Sequence, residues 1–188
     1  MTIVILLILL GILIASVVYT IIIYNGLINL KHNIEQTWSN IDVLLKQRYD
    51  ELPKLVSICQ GYMKHEQTVL ENVTRARAQL DNAGSGGEVL NANNAITSAL
   101  RSLFAVVENY PDLKADRAFR QLQSRISQLE DQIADRRELY NSSVNIFNIR
   151  IEQFPDIFVA NIMKLLPRPL WQIEPGHRED VAIRFSHA

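Results

Sequence analysis

Cysteine is almost missing from this chain of 188 residues, with Cys59 the only one. A lone thiol excludes an intramolecular disulfide and a thiolate metal cluster, and leaves the reading of a small apolar helix residue. Charge of one sign is missing too. Nineteen Lys and Arg stand against 20 Asp and Glu, for a net charge of -1. No basic stripe interleaved with aromatics occurs, so no nucleic-acid partner is expected. Long apolar runs are absent as well, with one exception at the very front of the chain.

Recognisable catalytic spacing is also wanting. His65-Glu66 opens like the zinc-protease pattern H-E-x-x-H, but Val69 stands where the second histidine ligand belongs. The four histidines, His32, His65, His177 and His187, show no ligand spacing. Gly84-Ser85-Gly86-Gly87 lacks the following Lys-Ser/Thr of a phosphate-cradling loop and reads as a connection between helices. The expectation is therefore a protein that is not an enzyme, with no catalytic, cofactor-binding or metal-binding residues, no cofactor and no small-molecule substrate.

What is present begins with Ile3 to Ile23, a stretch without a charged residue, in which sixteen positions are Ile, Leu or Val. As a helix it spans roughly 30 Å, the thickness of a bilayer's hydrocarbon. Its transfer into lipid is worth on the order of 5–10 kcal/mol. Tyr19 and Tyr24 sit where an interfacial aromatic belongs. No Lys or Arg precedes the run and no A-x-A site follows it, which argues for a retained single-pass transmembrane anchor over residues 1–24 rather than a cleaved signal. Lys31, Lys46 and Arg48 follow the run. The positive-inside rule then puts the N-terminus outside and the C-terminal domain in the cytoplasm.

Residues 25–153 read as a helical bundle. Leu27, Leu30, Ile34, Trp38, Ile41, Leu45, Tyr49, Leu52, Val56, Cys59 and Met63 recur at steps of three and four, and the stripe continues through Leu70, Val73 and Leu80 to a loop at 82–87. Unbroken from Asn25 to Asn82, this helix would be roughly 85 Å long. Pro53 interrupts it, and two outcomes stand open: a kink, or a new helix capped by Asp50 with Pro53 in its first turn. A second helix is expected over Glu88–Glu108. A third is expected over Leu113–Gln153, where Phe119, Ile126, Ile133, Tyr140, Phe147 and Phe154 lie seven apart. The companions Leu122 and Leu129 give way to Val144 and Ile151, a one-residue shift that follows the drift of a straight helix against a heptad.

Residues 154–188 differ. Trp171 and Ile173, then Val181, Ile183 and Phe185, alternate with polar neighbours about a Pro175-Gly176 turn. This predicts a β-hairpin-like tail, which needs neighbours to be stable, so these five residues are candidate oligomerisation contacts. Arg48, Asp50, Glu130 and Arg137 lie midway along amphipathic helices near the apolar stripes. They are the candidate buried polar residues, expected to pair between helices and fix the bundle's register, with a solvated face as the alternative.

The stretch Tyr24-Asn25-Gly26-Leu27-Ile28-Asn29-Leu30, Trp38, the run from Val43 to Val56, Gly61-Tyr62, His65-Glu66 and Val73 to Arg77 together resemble the LemA family. So do Tyr110 to Ala115, Glu130, Ile133, Arg136-Arg137, Tyr140-Asn141 and Phe154-Pro155. A second Tyr-Asn of that family is Phe147-Asn148 here, and its Gly-Phe-rich tail is replaced by Met163 to Leu166 and Leu170-Trp171. The resemblance implies an all-α protein of the bacterial inner membrane, an antiparallel bundle of long helices behind an N-terminal anchor, with no established enzymatic activity. A magnetosome-membrane protein of the same family points toward membrane organisation. The expected function is a non-enzymatic membrane-anchored scaffold that self-associates as a homo-oligomer. The alternative is an adapter for another membrane protein, a protease or transporter. The bilayer is a partner in either case.

Overall fold

In the computed structural model, which describes residues 1–84 and 86–172, the first helix, α1, runs from Thr2 to Tyr62 without a break. It contains Pro53, which settles the open question at that position. Proline removes one backbone donor, but Pro53 lies on the exposed side, where water can reach the freed carbonyl. Leu52 and Leu55 on either side are fully buried and hold the turn in place.

Among the described residues five further helices follow: α2 (Gln67–Asp81), α3 (Gly86–Val107), α4 (Pro111–Ala115), α5 (Arg117–Glu152) and α6 (Asp156–Ile162). Two differences from the expected helices have physical causes. The first long helix stops at Tyr62 instead of continuing to Leu80, so the 85 Å rod does not form. Lys64-His65-Glu66-Gln67 skips one turn of the apolar stripe. Reversal of the chain there lets Leu70, Val73 and Ala76 pack in one cluster with Leu55, Cys59 and Met63. The expected third helix is likewise split at Asp116. Pro111 opens α4 in its first turn, where a missing N–H costs nothing. Asp116 then caps α5, its Oδ1 accepting the Phe119 N–H at 2.8 Å.

The chain divides into two compact units, and α1 and α5 contribute to both. The first comprises Met1–Leu44 and Asp131–Leu170. Within it, α1 and α5 run antiparallel: the Trp38 and Tyr140 rings meet at 5.6 Å between centroids, and Arg150 reaches Gly26. Ile23, Leu27, Ile34 and Ile41 are buried here, as are Ile133, Tyr140, Val144, Phe147 and Ile151. The drift of the α5 stripe from the 129 register to Val144 and Ile151 is thus present in the fold. Phe154 departs from its heptad: it lies past the end of α5 and is 75% exposed.

Every residue of α1 up to Ile22 is exposed. The helix is long and apolar enough to cross a membrane, and none of its most apolar window is buried in the protein. A core helix of a water-soluble fold would be covered there.

The second unit comprises Leu45–Glu130 with Trp171 and Gln172 at the described end of the tail. Its core joins Leu52, Leu55, Cys59 and Met63 of α1 to Leu70 and Val73 of α2, Ile96, Leu100 and Leu103 of α3, and Phe119 and Ile126 of α5. No strand occurs among the described residues. Trp171, expected in a hairpin and at an interface between copies, is instead buried within the second unit, its Nε1 donating to Asn94 Oδ1 at 3.2 Å. An indole of this size gains more from cover within its own chain than from an isolated hairpin. Ile173, Val181, Ile183 and Phe185 lie outside the described residues.

Candidate functional site

The most buried charge in the second unit is Arg48, at 1% exposure. Position 48 falls on the α1 face that carries Leu45, Leu52 and Leu55, which is why a cation ends up inside. Its Nη1 donates to Glu130 of α5 and, at 2.9 Å, to Thr97 Oγ1 of α3. Its Nη2 donates to Asn93 Oδ1 at 2.7 Å. Thr97 Oγ1 donates in turn to Glu130 Oε2 at 3.0 Å, and Asn93 Nδ2 donates to the Val89 carbonyl at 2.8 Å. One guanidinium therefore joins three helices through a connected set of hydrogen bonds. Burial pushes Arg48 below its ordinary value, while the Glu130 carboxylate pulls the other way. The arrangement holds charge in place: both terminal nitrogens of the guanidinium are turned on acceptors, while the buried Nε has no hydrogen-bond partner.

The other polar candidates separate from this cluster. Asp50, expected inside, is exposed. Two residues of helix turn a side chain by about 200°, so a core-facing Arg48 points Asp50 at solvent. Arg137 is half-buried in the first unit, seven residues beyond Glu130 along α5. Two partners of Arg48 escaped sequence reasoning, Asn93 and Thr97. The available signal was polarity at a stripe position: Asn93 stands in register with Leu90, Ile96 and Leu100.

Around the rim of the second unit, side-chain pairs join elements distant in sequence. Tyr49 donates to Asp81 Oδ2 at 2.7 Å with the Arg77 guanidinium 4.0 Å over its ring. Tyr62 donates to Asp116 Oδ2 at 3.0 Å, and Tyr110 to Glu66 Oε1 at 3.2 Å. The Phe119 amide, then Tyr62, hold the Asp116 carboxyl below its usual range. Cys59 is fully buried and desolvation pushes its thiol up to about 11, so the one thiol is not a nucleophile at neutral pH. No group of three or more His, Cys, Asp or Glu suited to a metal occurs among the described residues.

In the first unit, Asn148 holds the returning tail by two hydrogen bonds. The Arg168 N–H donates to Asn148 Oδ1 at 2.8 Å, and Asn148 Nδ2 donates to the Arg168 carbonyl at 2.9 Å. Arg150 Nε donates to Asp156 Oδ2, tying α5 to α6. Lys164, just past the Met163 cap of α6, stands at φ 53°, with the Leu165 and Lys164 amides bonded back to the carbonyls of Ala160 and Asn161. This is a Schellman closure made without glycine.

Residues 37–185 match the family model described as LemA family. Protein LemA of Metamycoplasma hominis is 30% identical over 161 residues, covering 84% of this chain and 72% of that protein. Magnetosome protein MamQ 1 of Paramagnetospirillum magneticum is 24% identical over 179 residues, covering 81% of this chain. Magnetosome protein MamQ of Magnetospirillum gryphiswaldense is 22% identical over 176 residues, covering 80% of this chain. The chain spans 66% and 65% of the length of these two magnetosome proteins.

Proposed function

Since the chain belongs to the LemA family, we propose that it is a single-pass membrane-anchored scaffold, without catalysis of its own, that self-associates to organise membrane or membrane-protein assemblies. The observation that carries this reading is the double use of α1. Up to Ile22 the helix offers only exposed apolar side chains, and from Ile23 the same helix is packed against α5. A bilayer around the first part leaves the packed part standing at its surface.

The family signature supports a structural role. Trp38 and Tyr140, Arg48 and Glu130, Tyr62 and Asp116, and Glu66 and Tyr110 are joined in pairs across helices. Seven of these eight residues, all but Asp116, lie in the stretches that carry the resemblance to the family. The magnetosome names of two relatives agree with work at a membrane-bound compartment. Support for self-association lies on α5. Leu139, Ile146 and Ile149 are exposed at steps of seven and three along the first unit's part of that helix, a narrow apolar seam suited to a second copy. Lys31 and Lys46 favour a bacterial inner membrane with the bundle in the cytoplasm.

Mass measurement of the full-length complex in mild detergent tests the assembly. A multiple of the 21.5 kDa chain is expected, falling to one copy in Ile146→Glu. A wild-type monomer at every concentration removes self-association. A fixed ratio to one other membrane protein turns the reading into an adapter. An active reporter fused after Ala188 is expected only for reporters that work in the cytoplasm, and the opposite result inverts the orientation.

A further inference from the structure

Helix α6 carries large apolar side chains on its exposed side as well as on its buried one. Val159 and Ala160 are buried with Asp156 against the first unit. The opposite side carries Phe158 and Ile162, and Phe154 just before the helix and Leu166 just after it are exposed as well, at 61%, 81%, 75% and 77% in that order. The two phenylalanine rings stack edge to face at 5.8 Å. Together these side chains expose on the order of 500 Å², the upper end of what a soluble monomer shows in one patch.

Its location within the first unit says what covers it. Helix α6 follows directly on the end of α5 and is tied there by the Arg150–Asp156 pair. Arg150 lies against Gly26, its Nη2 3.7 Å from where a Cβ on that glycine would sit. Gly26 is four residues past Ile22, the last residue of the exposed apolar run, or about 6 Å along the helix axis. The headgroup layer of a bilayer is about 5–8 Å thick on each side. If the run spans the hydrocarbon, the start of α6 stands in that layer.

Charge agrees with this position. Asp156 is the only acid between residues 153 and 170, and it is buried on Arg150. Apart from Glu152 at the end of α5, the exposed residues from 152 to 172 include no carboxylate, while Lys164 is exposed just past the helix.

We propose that α6 and its flanks are a second membrane contact, an interfacial segment in which Phe158 and Ile162 of the helix, with Phe154 before it and Leu166 after it, dip into the headgroup and upper acyl region beside the anchor. Lys164 meets anionic headgroups. The chain then touches the bilayer at two places, so the first unit is fixed against it in tilt and rotation instead of swivelling on one stem. This rests on the reading of α1 as a membrane span.

The test uses the full chain with single cysteines at exposed positions: Leu10→Cys, Val43→Cys, Phe158→Cys and Ile162→Cys. The native Cys59 stays in place, since a fully buried thiol with its ionisation pushed up to about 11 does not label. Each variant is labelled with an environment-sensitive fluorophore and reconstituted in phosphatidylcholine vesicles containing some phosphatidylglycerol, with and without lipids brominated on their acyl chains. Labels at 10, 158 and 162 are expected to lose fluorescence to the brominated lipids, and the label at 43 to keep it.

Quenching at 10 without quenching at 158 and 162 overturns the α6 contact and leaves the anchor standing. No quenching at 10 overturns the anchor, and the α6 contact with it. Labels at 158 that escape the lipid quencher but quench one another between copies overturn the lipid assignment in favour of a dimer contact.

Discussion

Replacing Glu130 by alanine leaves the Arg48 guanidinium buried without its counter-charge. Arg48 is 1% exposed and the Glu130 side chain 26%. Removing one partner of a fully buried pair costs about 3–5 kcal/mol. Partial access of water to Glu130 puts this case at the lower end, about 3 kcal/mol. For a chain of this length each kcal/mol moves the melting temperature by about 2–4 °C, so Glu130→Ala is expected to melt roughly 6–12 °C below wild type.

The double change Arg48→Met with Glu130→Leu removes both charges. It leaves Asn93 Oδ1 without its donor and the part-buried Thr97 hydroxyl without either partner, at a cost of about 1–3 kcal/mol. Glu130→Ala also strands the Thr97 O–H and in addition leaves a buried charge unpaired, so the double variant is expected to be more stable than Glu130→Ala alone. Circular dichroism of the full chain in one detergent, by heat and by urea, reads all of this. Glu130→Ala melting with wild type, or a double variant weaker than the single, would refute the claim that a buried charge holds these three helices.

Other perturbations follow from single contacts. Asn148→Ala removes both bonds to the Arg168 backbone, at about 0.5–1.5 kcal/mol each. Hydrogen exchange at the Arg168 amide should accelerate while α2 and α3 keep their protection; unchanged exchange would contradict it. Lys164→Gly relieves a left-handed residue and should stabilise by up to about 1 kcal/mol, and Lys164→Val should destabilise by a similar amount; a reversed order of melting temperatures would exclude strain at φ 53°. The Asp116 carboxyl is held below its ordinary 3.8 by the Phe119 amide and then Tyr62. A depressed acid contributes stability above its unfolded value and loses it as pH falls through the folded one. The melting-temperature gap between wild type and Asp116→Asn should be constant above about pH 5 and shrink below about pH 4; a gap independent of pH would rule out the charge as its source.

The helices were legible because an amphipathic stripe is written in steps of three and four, and the α5 stripe kept its one-residue shift in the fold. Chain reversals were less so. Met63 to Glu66 has neither glycine nor proline, and what turns the chain there is the gain from packing Leu70 and Val73 back onto Cys59 and Met63. That gain is tertiary and leaves only a skipped turn in the pattern. Asp116 was readable as a cap only once Asp116 is seen to end α4. Of the polar candidates, Arg48 and Glu130 were visible by their nearness to the stripes, whereas Asp50 shows that nearness in sequence is not facing. Asn148 and Arg168 meet across twenty residues of sequence, and no local spacing marks such a clamp. Phe154 continues the α5 heptad in the sequence yet stands exposed beyond that helix, because periodicity cannot tell an exposed apolar side chain from one facing another helix.

The central claim is that one helix serves both as anchor and as bundle element, and flotation of the full chain tests it most directly. Wild type mixed with lipid vesicles, washed at alkaline pH and floated on a density gradient, is expected to rise with the lipid. A Leu9→Arg, Ile12→Arg variant gives up about 5–7 kcal/mol of insertion free energy and is expected to stay at the bottom with its bundle folded. Wild-type protein recovered below the lipid as a soluble monomer would contradict the account.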